Sequence, residues 1–218
     1  MAKKKNISAN DIYSFYINYV LEHNEQPKTV YAFAKHNNFE ESKFYEFFGS
    51  FKAIEKSIFT AFYDNTITVL HKSEDYLNFE PREQLLSFYF TFFENLTANR
   101  SYVIYALHQN KNSLKSLQIL TDLKAKFTHY IQNLNIELID VKQDTLEKIQ
   151  NHGLKESAWL QLLITMKFWM DDTSPSFEKT DIFIEKSVNT SFDVLNVAPL
   201  KSLIDFGKFI FKEKVKMN

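Results

Sequence analysis

The amino-acid sequence predicts an all-helical protein with an N-terminal head of three helices and a larger helical-bundle body. Only three glycines and four prolines occur in 218 residues, which leaves little room for the turns of an all-β fold. The chain is rich in Phe, Leu, Ile and Lys, and polar breaks separate segments in which apolar residues recur at helical spacing. This length fits one large domain or two small ones. We place the head in residues 1–50 and the body in residues 51–218.

Composition limits the possible functions. The lack of cysteine excludes disulfides, thiolate metal sites and cysteine nucleophiles, and it is compatible with a reducing cytoplasm. No apolar run approaches the roughly 20 residues of a membrane span, and no apolar stretch follows the first lysines to make a signal peptide. The net charge of −1 decides little about nucleic-acid binding. We therefore expect a cytoplasmic protein without an integral membrane span.

The sequence offers no set of residues for catalysis. It contains no Gly-rich phosphate loop, no HExxH motif and no cluster of Asp and His at metal-ligand spacing. Its six histidines are scattered, and Asp171 and Asp172 fit a loop between two helices better than an acid–base pair. We expect no catalytic residue, no metal and no cofactor, and we do not expect an enzyme.

Three helical patterns make up the head. Ser8 is placed to cap the first helix, whose apolar stripe ends near His23. Thr29 is placed to cap the second, and a third begins at residues 40–42 after a polar break at residues 36–38. Two short helices joined by a tight polar turn form a helix-turn-helix, and its second helix can enter the major groove of DNA.

Residues 29–54 resemble the N-terminal signature of the TetR family of bacterial transcriptional regulators. The residues in register are Thr29, Phe33, Ala34, Phe39, Phe44, Tyr45, Phe48, Ser50 and Ile54. Asn38 replaces the turn glycine of the family, and asparagine tolerates a left-handed backbone. Phe44 and Phe48 are four residues apart and are expected in the core, while Ser50 starts a long fourth helix. The resemblance implies binding to double-stranded operator DNA, with Ser42, Lys43 and Tyr45 facing the DNA and Lys28, Thr29 and Lys52 on phosphates.

Residues 84–96 are apolar on nearly every side of a helix that Pro81 begins after a polar connector at residues 72–80. Such a helix is either buried on all sides or lines a cavity. Core packing is one interpretation, in which His108 is a structural histidine. In the other, large aromatic residues and polar-tipped residues of the next helix form a pocket for a small, mostly apolar effector. The pocket candidates are Phe88, Tyr89, Phe92, Phe93, Tyr102, Tyr105 and His108.

Farther along, we predict a helix over residues 113–133 and a short helix with polar ends within residues 135–152. Gly153 separates this segment from two strong helices over residues 155–170 and 176–196. Both strong helices carry large apolar residues on more than one face, as expected when a second copy covers one face. In the TetR family the last two body helices usually pair with their copies in a four-helix bundle. The candidates for this homodimer interface are Trp159, Leu163, Met166, Ile184, Val188 and Phe192.

The chain ends leave further alternatives open. The lysines of residues 1–6 either solvate the terminus or contact phosphates. A final amphipathic helix begins at Pro199 and either covers the body helices of its own chain or lies on a membrane surface. Residues 168–175, with Thr180 and residues 183–184, are somewhat similar to the end of the COQ9 proteins, which are TetR-like, regarded as lipid-binding and do not bind DNA.

Our sequence-based hypothesis is a homodimeric TetR-like regulator, a repressor that releases its operator when a small apolar effector binds the body. Two heads spaced about one helical turn of DNA, roughly 34–36 Å, can read a palindrome. The alternative is a lipid- or isoprenoid-binding protein on the same fold without DNA binding. Glu40, Glu41 and Glu46 favour it, because they bring negative charge to the helix that would face phosphates. A dimeric scaffold for a protein partner is a third possibility.

Overall fold

The computed structural model describes residues 7–108, 117–136 and 144–195. The regular secondary structure of these residues consists of α-helices and short 3-10 turns, and no strand occurs among them. The all-α prediction is confirmed. The helices are α1 Ala9–His23, α2 Val30–His36, α3 Glu41–Tyr45, α4 Phe51–Leu70, α5 Pro81–Ala98, α6 Arg100–His108, α7 Thr121–Asn133, α8 Asp144–Asp171 and α9 Glu178–Leu195. Short 3-10 turns occupy Tyr76–Asn78 and Pro175–Phe177. The predicted basic arm and the final helix from Pro199 lie outside the described residues.

The chain divides into two compact units. The first takes its residues from Met1–Thr66 and Phe92–Lys126, and the second from Ile67–Thr91 and Phe127–Asn218. The first unit therefore contains the predicted head together with most of α4 and all of α6. The functional boundary at residue 50 stays a prediction.

Side-chain caps fix the starts of the head helices where the sequence predicts them. The Ser8 hydroxyl accepts a hydrogen bond from the Asp11 backbone N–H at 3.2 Å, and the Asp11 carboxylate accepts one from the Ser8 N–H at 2.9 Å. The Thr29 hydroxyl accepts from the N–H of Ala32 at 3.1 Å. Each cap satisfies a backbone donor that a helix start leaves open, which is worth about 1 kcal/mol.

The turn between α2 and α3 has the backbone that the asparagine predicts, because Asn38 is left-handed with a φ of 57°. Helix α3 is only five residues long and ends at Tyr45, before Phe47 and Phe48. Phe44 and Phe48 are both buried, as predicted. The ring of Phe44 lies 6.2 Å from that of Phe33 and 5.5 Å from that of Phe51, so aromatic contacts hold the helix-turn-helix together.

In the second unit, an aromatic core surrounds the start of α5. Phe88 stacks on Tyr130 with ring centroids 4.8 Å apart and lies 5.3 Å from Phe127. The Tyr76 hydroxyl donates to that of Tyr130 at 2.9 Å, and Tyr130 donates to the carbonyl oxygen of Gln84 at 3.1 Å. This chain of hydrogen bonds ties the connector after α4 to α5 and α7, since buried hydroxyls need partners.

Two predicted helix assignments differ from the structure. The helix predicted over residues 113–133 is interrupted by a turn at residues 119–120, with residues 117–118 helical before it and α7 beginning at Thr121 after it, while residues 113–116 lie outside the described part of the chain. Gly153 was expected to punctuate the chain, yet it lies inside the continuous helix α8. A single glycine in an exposed helix interior costs only about 1 kcal/mol relative to alanine, which the rest of a 28-residue helix outweighs.

The loop between α8 and α9 is organised by one carboxylate. Asp172 is 6% exposed and accepts hydrogen bonds from the backbone N–H and hydroxyl of both Ser174 and Thr180, at 2.7–2.9 Å. Burial alone would raise the pKa of Asp172, but these four bonds lower it to about 2. Asp172, Ser174 and Thr180, three of the residues that resemble COQ9 proteins, therefore form a hydrogen-bonded connection between α8 and α9.

Candidate DNA interface and ligand cavity

The exposed side of the helix-turn-helix carries several of the predicted DNA-facing residues. Ser42 and Tyr45 are exposed on α3, and Tyr45 is 55% exposed. Phe47, which follows the helix, is 41% exposed, and Tyr31 on α2 is 59% exposed. Large aromatic side chains are seldom left this open without a partner, and here they lie on both short helices of the motif.

Lys43, the one lysine of α3, is held by neighbours. Its Nζ lies 2.6 Å from a carboxylate oxygen of Glu46 and 5.7 Å from the centroid of the Phe47 ring. The Glu46 carboxylate opposes the charge that a phosphate would meet, so Lys43 has to leave this ion pair to bind DNA. The spacing of three residues between Lys43 and Glu46 is a sequence signal for this ion pair, beyond the opposing charge that Glu46 brings to the motif.

The three predicted phosphate contacts lie at helix starts. Lys28 and Thr29 are exposed just before α2, and the Thr29 hydroxyl, while accepting the cap bond, still has a proton to donate. Lys52 is exposed in the first turn of α4, where its Nζ donates to the Gln118 amide oxygen at 3.1 Å. Backbone N–H groups and lysines at helix starts are frequent phosphate ligands in DNA complexes.

Most of the predicted pocket residues are packed in the interior. Phe88, Tyr89, Phe92, Phe93 and Tyr102 are 0–3% exposed. Tyr105 and His108 instead line a cavity of about 560 Å³ between α1 and α6, together with Val20, Leu21, Asn24, Ser101 and Ile104. The structure thus brings two of the seven residues to one cavity and assigns the buried ones to the core.

A buried polar cluster that the sequence analysis missed lies beside this cavity. Glu55 of α4 is 7% exposed, and one of its carboxylate oxygens, Oε1, accepts hydrogen bonds from Tyr16 and Gln26 at 2.9 and 2.6 Å. The signal was a charged residue in the apolar register of α4, four residues before the fully buried Phe59.

The predicted dimer contacts mostly face inward. Trp159, Met166, Ile184, Val188 and Phe192 are 0–9% exposed within the single chain, so a second copy cannot reach most of their surface. Leu163 is partly exposed. The outward apolar side chains of the same two helices are their neighbours Leu160, Ile164, Ile182 and Val194, which are 49–56% exposed. A groove of about 420 Å³ between α8 and α9 is lined by three of these four and by Phe183.

Neither a membrane span nor a metal cluster is evident in the part of the chain that the structure describes. None of its helices combines the length and apolar character needed to cross a bilayer. It contains no group of three His, Asp or Glu side chains placed to hold a metal ion.

The fold and the exposed head define an all-α protein with an N-terminal helix-turn-helix. The family model described as "Tetracyclin repressor-like, C-terminal domain" matches residues 84–210, which is more than half of the chain. The protein therefore belongs to the TetR family of regulators. No curated protein matches the chain. The local similarity to COQ9 proteins gains no support from these comparisons.

Proposed function

We propose that the protein is a homodimeric transcriptional repressor of the bacterial cytoplasm that binds palindromic operator DNA through α2 and α3. The observation that carries this proposal is the arrangement of α3. Phe44 and Phe48 anchor it to the head core, while Ser42, Tyr45 and Phe47 point to solvent. A short helix held from behind, with its other side free, has the geometry needed to enter a major groove.

The exposed residues suit different parts of a duplex. Ser42 can hydrogen-bond to base edges or phosphates, and the apolar ring of Phe47 suits the methyl group of thymine. Lys28, Thr29 and Lys52 would contact phosphates and fix the orientation of the head without reading the sequence. Each lysine that neutralises a phosphate releases counterions, so binding should weaken steeply with salt.

Dimerisation is proposed to use the outward face of α8 and α9. Leu160, Ile164, Ile182 and Val194 leave a run of apolar surface that water would otherwise solvate. A two-fold arrangement would place the same patch of both copies face to face. Two heads would then bind two half-sites, and an effector bound to the protein would weaken the DNA complex by changing their separation.

The experiment that tests DNA binding is selection of duplexes from a random library by the full-length protein. We expect enrichment of a palindrome whose half-sites lie about one helical turn apart. For the selected duplex, Lys28→Ala should weaken binding and lower the slope of log K against log salt by about 1. Lys72→Ala, an exposed lysine of the connector, is the matched control and should change neither.

The duplex selection, together with native mass spectrometry, distinguishes this proposal from the lipid-binding alternative. If no duplex is enriched and native mass spectrometry shows a co-purified lipid, the protein is a lipid carrier on a TetR fold. If duplexes are enriched without salt dependence, the assignment of the lysines to phosphates is wrong.

A further inference from the structure

Glu55 is a buried carboxylate whose two hydrogen-bond donors are neutral side chains. Tyr16 and Gln26 both donate to its Oε1 atom. Among the described residues, no lysine, arginine or histidine forms an ion pair with it and no donor reaches its second oxygen, Oε2. A buried carboxylate is stable when it is paired with a cation or fully hydrogen-bonded, so this one has capacity for a cationic partner.

Two tyrosine hydroxyls next to Glu55 have unused hydrogen-bonding capacity. Tyr102 is 1% exposed, and its ring lies 6.5 Å from that of Tyr16, which holds Glu55. The hydroxyl oxygens of Tyr102 and Tyr105 are both buried and have no hydrogen-bond partner. Burial raises the pKa of Tyr102, and Glu55 and Tyr105 raise it further. Tyr16 links the two groups geometrically, because its hydroxyl bonds to Glu55 and its ring contacts that of Tyr102.

The cavity between α1 and α6 adjoins this cluster through Tyr105. Val20, Leu21 and Ile104 give the cavity an apolar part of its lining, and Asn24, Ser101 and His108 add polar groups. Burial raises the pKa of Tyr105 to about 12, with Glu55 and then Glu25 adding to the effect. Two carboxylates therefore make the potential near Tyr105 negative, which favours a cation and disfavours an anion.

We propose that this site binds a small organic amine as its ammonium ion, with the ammonium group on Glu55, Tyr102 and Tyr105 and the hydrocarbon part in the α1–α6 cavity. A primary ammonium has three N–H donors, and the site offers three acceptors: the carboxylate and two phenol oxygens. Charge-assisted hydrogen bonds to the carboxylate are stronger than neutral ones. A neutral alcohol of the same shape has one donor and no charge, so it binds more weakly.

Gln26 connects this site to the residues proposed to contact DNA. Gln26, which donates to Glu55, lies two residues before Lys28 and three before Thr29. An ammonium ion on Glu55 would compete with Gln26 and shift the start of α2. This regulatory consequence rests on the proposed function, whereas amine binding does not, and amine binding is tested without DNA.

The test uses the full-length protein and three probes of one shape. Isothermal titration with phenethylammonium, 2-phenylethanol and 3-phenylpropanoate compares a cation, a neutral molecule and an anion. We expect phenethylammonium to bind at least about tenfold more tightly than the alcohol, and the carboxylate not to bind, since about 1.4 kcal/mol corresponds to each tenfold step. Equal binding of cation and alcohol, or no binding of the cation, would overturn the proposal.

Two variants locate the site. Tyr105→Phe removes one acceptor and should lower phenethylammonium affinity by about tenfold, while Tyr31→Phe, an exposed tyrosine of α2, should leave it unchanged. Glu55→Gln should abolish the preference for the cation over the alcohol. If Glu55→Gln does not fold, the phenethylammonium affinities of Tyr105→Phe and Tyr31→Phe test the location of the site. Amine binding without duplex enrichment would retain the site and reject only its regulatory role.

Discussion

Glu46, the residue directly after α3, lies one turn from Lys43, with 2.6 Å between the Lys43 Nζ and a carboxylate oxygen of Glu46. Both side chains are partly exposed, so the pair adds little to stability, about 0.3–0.5 kcal/mol for such a spacing. In the proposed DNA complex its effect would be larger. The glutamate occupies the lysine and would also repel phosphates, so the pair would lower the affinity of the head for DNA.

Glu46→Gln should therefore strengthen duplex binding. The amide keeps the size of the side chain but removes its charge, which frees Lys43 and ends the repulsion. We expect affinity for the selected duplex to rise about three- to tenfold at low salt, and the gain to shrink as salt screens the charges. Fluorescence anisotropy across a salt series measures this.

The control for Glu46→Gln is Glu185→Gln, an exposed glutamate on α9. It makes the same change in net charge away from the head, so it separates a local effect from a global one. Equal gains in both variants would show that net charge alone is responsible, and a loss of affinity in Glu46→Gln would contradict a DNA-facing α3.

Leu160→Glu should dissociate the proposed dimer. The side chain is 56% exposed on the apolar face of α8, and a buried charge there would have no partner in a two-fold interface. We expect the variant to sediment as a monomer at concentrations where the wild type is a dimer. Leu77→Glu makes the same substitution at a leucine of the connector that is 67% exposed, and it should leave the dimer intact. Dissociation in both variants, or in neither, would exclude this face as the interface.

The starts and turns of the head could be predicted because each depends on one residue and its neighbours. Ser8, Thr29 and Ser50 carry short polar side chains that accept a backbone hydrogen bond, and Asn38 tolerates a positive φ. The prediction that Gly153 separates two segments is wrong, because this position does not depend on one residue alone. The cost of a single glycine to a helix is small, and the helix-forming residues on either side outweigh it.

The site could be predicted only in part, because which face of a helix meets its own chain depends on packing over long range. Helices α8 and α9 are apolar on more than one side, and the sequence could not show that Met166 and Val188 face inward while Leu160 and Ile182 face outward. Likewise, aromatic residues such as Phe88 and Phe92 fill the core, although the same side chains could have lined a cavity.

Ser176→Gly should stabilise the protein. Ser176 has a φ of 52° and a ψ of 13°, a left-handed conformation in which a side chain is strained and glycine is not. We expect the free energy of unfolding in urea to rise by about 0.5–1 kcal/mol. Ser157→Gly is the matched control inside α8, where glycine should instead lower it by about 0.5 kcal/mol or more. A loss of stability in both variants would show that the loop is unstrained.

Asp172 should make the stability of the protein fall in acid. Its folded-state pKa is lowered to about 2, and an unfolded aspartate titrates near 3.9. The unfolded chain therefore takes up a proton first as the pH falls. The contribution of Asp172 is complete above about pH 4 and is lost as the pH falls towards 2. Urea unfolding of the wild type between pH 7 and pH 2 should show this decline.

Asp172→Asn isolates that contribution. The amide can accept hydrogen bonds through one oxygen only, and its NH₂ group would face the donors of Ser174 or Thr180, so we expect a loss of about 1–3 kcal/mol at pH 7. The difference in the free energy of unfolding between variant and wild type should become smaller below pH 4, because the wild-type carboxyl becomes protonated. Asp75→Asn, at an exposed aspartate of the connector, should change stability by less than about 0.5 kcal/mol. A gap that is constant with pH would mean that the hydrogen bonds of Asp172 do not depend on its charge.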